Sequence, residues 1–461
     1  MDTKRFSLDT ALTLVAAYLG LFVGLIDANA INLALPAIRT DLGGGISGAQ
    51  WTIDAYNITF AAVLLTAGLL GDKFGRRALL RIGLVTFIAA SLACALAPTL
   101  PLLLAARAVQ GVGAAVMLPQ GLAITAAAFP DPIERARATA AWAIAAAMST
   151  AIGPILGGVL TDSLGWRYIF WLNAPVGLIA LLMAYRYLPE SRDPDAANFD
   201  VPGQTLAMFG LGVLTIVLVE GRTMAPAWTV ALAVVAVAGI AAFIWSQRQA
   251  RHPMLPLDLF RSSRLVAALI ATFTMTFGIY GLLLVNSFAF QQQRGASALA
   301  TALWFLPMPV AYLIFIPPVN ALAHRTGPRL PIAGGLVLMA SGMALYAAAG
   351  PQADVWLIEL SFVLAGAGLA VTTGPAVGLA MSAVPVQRAG LASGVVNLAR
   401  LVGITVGVAV LGSAMASIGG ADGARVATML GGVVQLIGAA VALGWAKNEA
   451  PAPMQKEVCH A

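Results

Sequence analysis

Long apolar runs recur along this chain, and the polar residues gather in the short stretches between them. A bilayer core of ~30 Å needs about 20 mainly apolar residues per helix. Runs of that kind lie at roughly residues 11–35, 52–71, 79–97, 101–122, 138–160, 168–188 and 204–221. A second set lies at roughly 226–245, 265–290, 299–322, 330–349, 355–378, 390–413 and 424–446. The pattern predicts fourteen membrane-spanning helices. Because that number is even, both termini fall on the same side.

Composition agrees with the pattern. The 461 residues are 60% hydrophobic and 10% charged, with a mean hydropathy of +0.88, which lies outside the range of soluble domains. A net charge of +6 raises the question of nucleic acid, but the basic residues form small clusters between apolar runs and no continuous basic face, so no nucleic-acid partner is expected. Lys4 and Arg5 precede an apolar run, as in a signal peptide. That run extends from Ala11 to Leu35 with no small-residue cleavage site before further spans follow, so it is expected to be a retained first span. Cys94 lies in an apolar run and Cys459 in the polar tail, and no spacing suggests a disulfide or a metal site. No cofactor is expected.

The basic residues also orient the chain. With the N-terminus inside, nineteen of the 26 Lys and Arg residues face the cytoplasm, among them Lys4, Arg5, Lys73, Arg81, Arg388, Lys447 and Lys456. Only Arg39, Arg167, Arg222, Arg294 and Arg425 face outward, while Arg107 and Arg400 fall inside spans. By the positive-inside rule both termini are cytoplasmic, in a multi-pass protein of the cytoplasmic (inner) membrane.

Three pairs of related stretches recur at nearly constant offset. Gly75 and Gly327 are 252 residues apart, ERARATAAW and QRAGLASGV 253, and QGVGAAV and AGAGLAV 255. Such a repeat predicts two related six-helix halves, an architecture used by secondary transporters. The expected division is an N-terminal half over 1–190, a linker with two inserted helices over 191–252, and a C-terminal half with a short tail over 253–461.

The motifs are more specific. Gly68-x-Leu70-x-Asp72-Lys73-x-Gly75-Arg76-Arg77 fills the turn between the second and third spans, and Leu103-x-x-x-Arg107-x-x-Gln110-Gly111-x-Gly113 lies in the fourth. Gly153-Pro154-x-x-Gly157-Gly158 lies in the fifth, and Ile26-Asp27-x-Asn29-x-x-Asn32-x-Ala34-Leu35-Pro36 in the first. Trp166-Arg167-Tyr168-Ile169-Phe170 with Asn173-x-Pro175 opens the sixth. In this order the set resembles the fourteen-span drug/proton antiporters of the major facilitator superfamily, the EmrB/QacA type, with Asn29 where that family usually has Thr. The resemblance implies an all-α major facilitator fold of two six-helix halves plus two central helices. It also implies export of amphipathic small molecules driven by the proton gradient.

Within that frame Asp27 is the candidate proton-coupling residue, since a carboxylate at mid-membrane costs about 2.5–3.5 kcal/mol on insertion scales and so marks a functional path. The alternative is a packing role through hydrogen bonds. Arg107 is its candidate counter-charge: at ~1.5 Å rise per residue, both side chains lie about 10–12 Å below the outer helix ends. Asp54 is either a second carboxylate on the proton or drug path or a solvated residue in the first turn of its helix. Glu220 and Glu359 are expected at helix ends, and the role of Arg400 stays open. Pro154 permits a bend. Gly153 and Gly157 leave a smooth face, expected to seal one half against the other. Phe273, Met275, Phe277 and Tyr280 are candidates for a drug cavity or, more plainly, for packing.

By resemblance, Gly68, Asp72, Gly75, Arg76 and Arg77 form a cytoplasmic gate. Asp72 would reach the far half near Arg388, and Arg76 would pair with Asp131 or Glu134. The copy NALAHRTGPR at Asn320 carries His324 in place of Asp72, which makes the latch one-sided. The chain is read as a proton-coupled exporter of amphipathic, cationic drugs. A dedicated exporter of one metabolite or antibiotic is the alternative, and a non-transporting sensor or a channel the reading from another class. No phosphate loop, catalytic set or metal cluster is visible, and His252, His324 and His460 are expected in loops or the tail, so no enzyme is expected. The expected partners are the small-molecule cargo, protons and the lipid bilayer, with a periplasmic adaptor left undefined.

Overall fold

The structure, a computed structural model, describes residues 8–129, 131–192, 200–251, 253–385 and 388–446. Lys4, Arg5, His252, Lys447, Lys456, Cys459, His460 and residues 193–199 of the linker lie outside the described residues. Among the described residues every regular element is a helix. The first half runs α1 (Leu8–Leu42), α2 (Gly45–Phe74), α3 (Arg76–Leu96), α4 (Leu100–Ala128), α5 (Pro132–Ser163) and α6 (Arg167–Tyr187). After it come α7 (Val201–Glu220) and α8 (Pro226–Gln249). The chain continues with α9 (Ser263–Phe288), α10 (Ala298–Phe305), α11 (Pro307–Thr326), α12 (Arg329–Ala349), α13 (Val355–Ser382), α14 (Ala389–Ile418) and α15 (Gly420–Trp445).

Among the described residues, 14 helical spans are long and apolar enough to cross a membrane. The tenth is built from two elements, since α10 and α11 share the span Ala298–Val319. The break falls at Pro307, which has no N–H to continue the ladder of hydrogen bonds. The ninth span runs past α9 through a π-helical turn at Ala289–Gln293. His324, expected in a loop, is instead part of the last turn of α11. Helices overrun the apolar runs because capping side chains and prolines carry their ends into polar sequence. Asp131 accepts from the Glu134 N–H at the start of α5, and Ser297 from the Ala300 N–H at the start of α10.

The helix pairings of the first half recur in the second. α1 packs on α5 and α6, α2 on α4, and α3 on α4 and α6. Likewise α9 packs on α14 and α15, α11 on α13, and α12 on α13 and α15. The halves meet along two mutually equivalent seams, α2 against α14 and α5 against α10. The pair α7 and α8 lies outside this arrangement, with α7 resting on both α2 and α14. Gly75 and Gly327, the first repeat landmark, both turn the chain sharply at positive φ (107° and 76°), a conformation that side-chain-bearing residues rarely adopt.

Small residues set the closest helix approaches, and here one expectation needs correcting. Gly153 and Gly157 do not meet the other half. A Cβ on Gly157 would lie 2.5 Å from the Ala30 carbonyl oxygen, and one on Gly153 would lie 2.7 Å from Asn29 Cβ, both on α1 of the same half. Gly158, one position round the helix, is the residue that faces across, 2.8 Å by the same measure from Leu299 Cα on α10. The repeat has its own version: Gly403 and Gly407 of α14 press on the backbone of Phe273 and Phe277 of α9. Met275 and Phe277 are accordingly buried within the second half. Pro154 lies within α5, which remains one helix across it.

Candidate functional site

Asp27 sits in the middle of α1 with no exposure to the surface, and its carboxylate is fully engaged. Arg107 of α4 donates from Nη1 to Oδ2 at 2.6 Å, while Asn173 of α6 and Gln110 of α4 donate to Oδ1 at 2.7 and 3.1 Å. Arg107 also donates to Gln110 Oε1 at 2.6 Å and from Nε to the carbonyl of Thr52 on α2 at 3.0 Å. Ser91 of α3 closes the set, its hydroxyl 2.8 Å from Gln110 Nε2. The Tyr56 ring lies under the guanidinium, 4.4 Å from its central carbon, with Phe170 at 5.8 Å on α6. Five helices of the first half thus converge on one buried ion pair. A pair this deep is tolerable because both carboxylate oxygens and the Nε and Nη1 side of the guanidinium find polar partners, and aromatic rings flank the guanidinium.

The expected contact between Asp27 and Arg107 is therefore present. Gln110 and Asn173 are part of the site as hydrogen-bond donors to the carboxylate, a role their motifs did not announce. Their signal was the placement of two amide side chains inside apolar runs, Gln110 one turn along from Arg107. Asp54 resolves differently from one of its two readings: it lies beyond the first turn of α2, is fully buried, and is not solvated. Neither of its oxygens has a hydrogen-bond partner. Glu220 ends α7 and accepts from Trp51 Nε1 at 3.0 Å, linking the added helices to α2.

At the end of the bundle that carries Asp72, which is its basic end, the pairing differs from expectation. Arg76, at the start of α3, bonds Asp72 at the end of α2, at 2.9 Å from Nε and 2.8 Å from Nη2, in place of Asp131 or Glu134. The sharp turn at Gly75 brings the two side chains together. Arg77 donates to the Leu188 carbonyl at 3.0 Å, and its backbone N–H bonds Glu190 Oε1 at 3.0 Å, so the turn is moored to the end of α6. Gly75 has no room for a side chain beside Glu190, whereas Gly68 has open space. Arg388, which marks the start of the helix that Asp72 is expected to meet, donates at 2.5 Å to Asp258 in the short segment before α9. That hydrogen bond holds the Asp258 carboxyl below the usual carboxylate range.

Hydrogen bonds between the halves gather at the opposite end. Gln50 of α2 donates to the Val408 and Ala409 carbonyls of α14 at 3.0 and 2.7 Å. Ser287 and Gln291 donate to the Asn32 and Leu33 carbonyls of α1 at 2.6 and 3.0 Å. The Asp162 carboxylate of α5 accepts from the N–H groups of Ala298 and Leu299 at 3.0 and 2.8 Å, capping α10 across the seam. Arg39 bonds Gln292 at 2.7 Å at the same end.

Two six-helix halves with matching pairings, bonded to each other at one end and with a buried acid–base pair inside the first, define a multi-pass membrane transport protein. A profile of the Major Facilitator Superfamily matches residues 17–408 and 268–458, and the chain belongs to that family. It is 38% identical to the multidrug resistance protein Stp of Mycobacterium tuberculosis, over 88% of this chain and 76% of that one. It is 33% identical to the drug efflux pump JefA of the same organism, over 88% and 80%. The crystal structure of a POT family transporter in complex with 5-aminolevulinic acid shares the fold at a TM-score of 0.70 and 15% identity, covering 94% of this chain and 96% of that one.

Proposed function

We propose that the chain is a proton-driven exporter of amphipathic drugs or other toxic small molecules, placed in the cytoplasmic membrane with its basic end and both termini inside. The halves over 1–190 and 253–461 rock about the seam, and the segment 191–252 supplies the added helices. The single observation that supports this reading most is the Asp27–Arg107 pair: a fully buried acid–base couple on α1 and α4 of the first half, with α1 packed against both α2 and α5, the helices of that half that meet the other. A proton arriving on Asp27 removes the charge that holds Arg107. The guanidinium then bonds its remaining partners on α2 and α4, and the packing of α1 against both changes. In this scheme the proton competes with Arg107 for the carboxylate. No cofactor and no ATP is needed, because the proton gradient supplies the energy.

The conformation described here, with the halves bonded at the end opposite Asp72, corresponds to the inward-facing state. Asp72, Gly75, Arg76 and Arg77 then form the resting half of a gate whose far side is the start of α14, where Arg388 is held by Asp258. Asp54 is a second carboxylate on the path, in keeping with its burial without a partner. The test is dye movement in proteoliposomes under an imposed pH gradient. Movement that stops when the gradient is collapsed is the expected result, and movement that continues unchanged rules out proton antiport.

A further inference from the structure

The proton site uses the whole Asp27 carboxylate inside the first half, and Asp54 has no exposed face. Neither acid offers an open carboxylate to a cationic cargo. The charge that stands at the seam is positive. Arg400 lies mid-way along α14, half-buried, with its Nε buried and lacking any hydrogen-bond partner. Among the described residues no carboxylate makes a salt bridge with it. An unpaired guanidinium at that depth is costly, and such residues face a cavity or a substrate path.

Its surroundings suit a particular ligand. Tyr280 lies one turn along α9 from Thr276, whose hydroxyl donates to the Arg400 carbonyl, and Tyr312 of α11 is near enough to feel the charge of the guanidinium. The turn is fixed, since Thr276 of α9 donates to the Arg400 carbonyl at 3.0 Å and Gly403, one turn on, closes α14 against α9. Tyr280 also lies within range of Tyr56 in the other half, the ring that underlies Arg107. The cluster therefore faces across the seam toward the proton site. A guanidinium presents a planar fork of donors that matches a carboxylate, and tyrosines add hydroxyl donors together with flat apolar area.

We propose that Arg400, Tyr280 and Tyr312 form an anion-recognising subsite, which takes the carboxylate or ionised phenol of a flat aromatic cargo. The proposal rests on the export reading above and narrows its substrate class to acidic aromatics, against the cationic cargo that the sequence suggests. It assigns Arg400 the role of a binding residue.

The test uses two xanthene dyes of similar ring size, anionic fluorescein and cationic rhodamine 6G, bound to the full-length protein in nanodiscs and read by fluorescence anisotropy. Fluorescein is expected to bind the more tightly. Arg400→Gln should weaken it about tenfold or more, as loss of a charge-assisted contact implies. Arg400→Lys, which keeps the charge and loses the fork, should fall between, and Tyr312→Phe should weaken it less. These two variants carry the test if Arg400→Gln unfolds early. Unchanged fluorescein affinity in folded Arg400→Gln, or a wild-type preference for rhodamine 6G, overturns the subsite; gradient-driven export of rhodamine 6G would then leave the export reading standing. Fluorescein bound through Arg400 but not moved by any gradient would support the subsite and sink export.

Discussion

Asp27 and Arg107 are each satisfied by the other and by polar neighbours, so neither can be removed alone at small cost. Breaking a buried pair by deleting one charge destabilises by about 3–5 kcal/mol, because the partner is left uncompensated. Asp27→Asn should therefore lower the unfolding temperature in detergent as well as stop gradient-driven export. The double variant Asp27→Asn/Arg107→Gln should recover most of the lost temperature and none of the export. A double variant as unstable as the sum of its single changes would mean that the two side chains are not coupled in the folded state. The ion pair was legible in the sequence because both charges lie at one depth in apolar runs. Its further partners were less so, since Gln110, Asn173 and Ser91 are ordinary polar residues until the fold brings them within 3.1 Å of the carboxylate or of one another. The reach of Arg76 was misread for a related reason: a charged turn has several partners in reach, and the nearest, Asp72, wins.

At the level of the helix, close packing decides which glycines matter. A methyl group on Gly157 would lie 2.7 Å from Ala30 Cα, backbone that cannot move aside without shifting α1, while Gly68 has nothing within 4 Å. Gly157→Ala is expected to lower both thermal stability and transport, since it displaces the helix that carries Asp27. Gly68→Ala should leave the unfolding temperature unchanged, although the residue belongs to the charged-turn motif. Equal losses in the two variants, measured by the same thermal unfolding assay, would contradict the packing described. Helix number and order were written in the apolar runs, which are strong because the bilayer demands them. Two things were not legible there: the direction in which the Gly153 and Gly157 face points, which depends on rotation of α5 about its axis, and the break at Pro307 within a single span.

For the molecule as a whole, the repeat made two halves visible, but which end is closed is a property of conformation and leaves no mark in composition. Gln50 and Asp162 carry hydrogen bonds across the two equivalent seams at the end opposite Asp72. Gln50→Ala with Asp162→Ala should shift the population toward opening of that end. Distances between spin labels placed across it should lengthen, whereas an unchanged distribution would show that these bonds do not hold the closed state. The central claim is that a proton on Asp27 drives the exchange. It is tested most directly by recording proton flux and cargo movement together in proteoliposomes containing either wild type or Asp27→Asn. Coupled, opposite fluxes in wild type, with cargo binding retained and both fluxes lost in the variant, are the predicted result; cargo-driven proton flux undiminished in Asp27→Asn would contradict it.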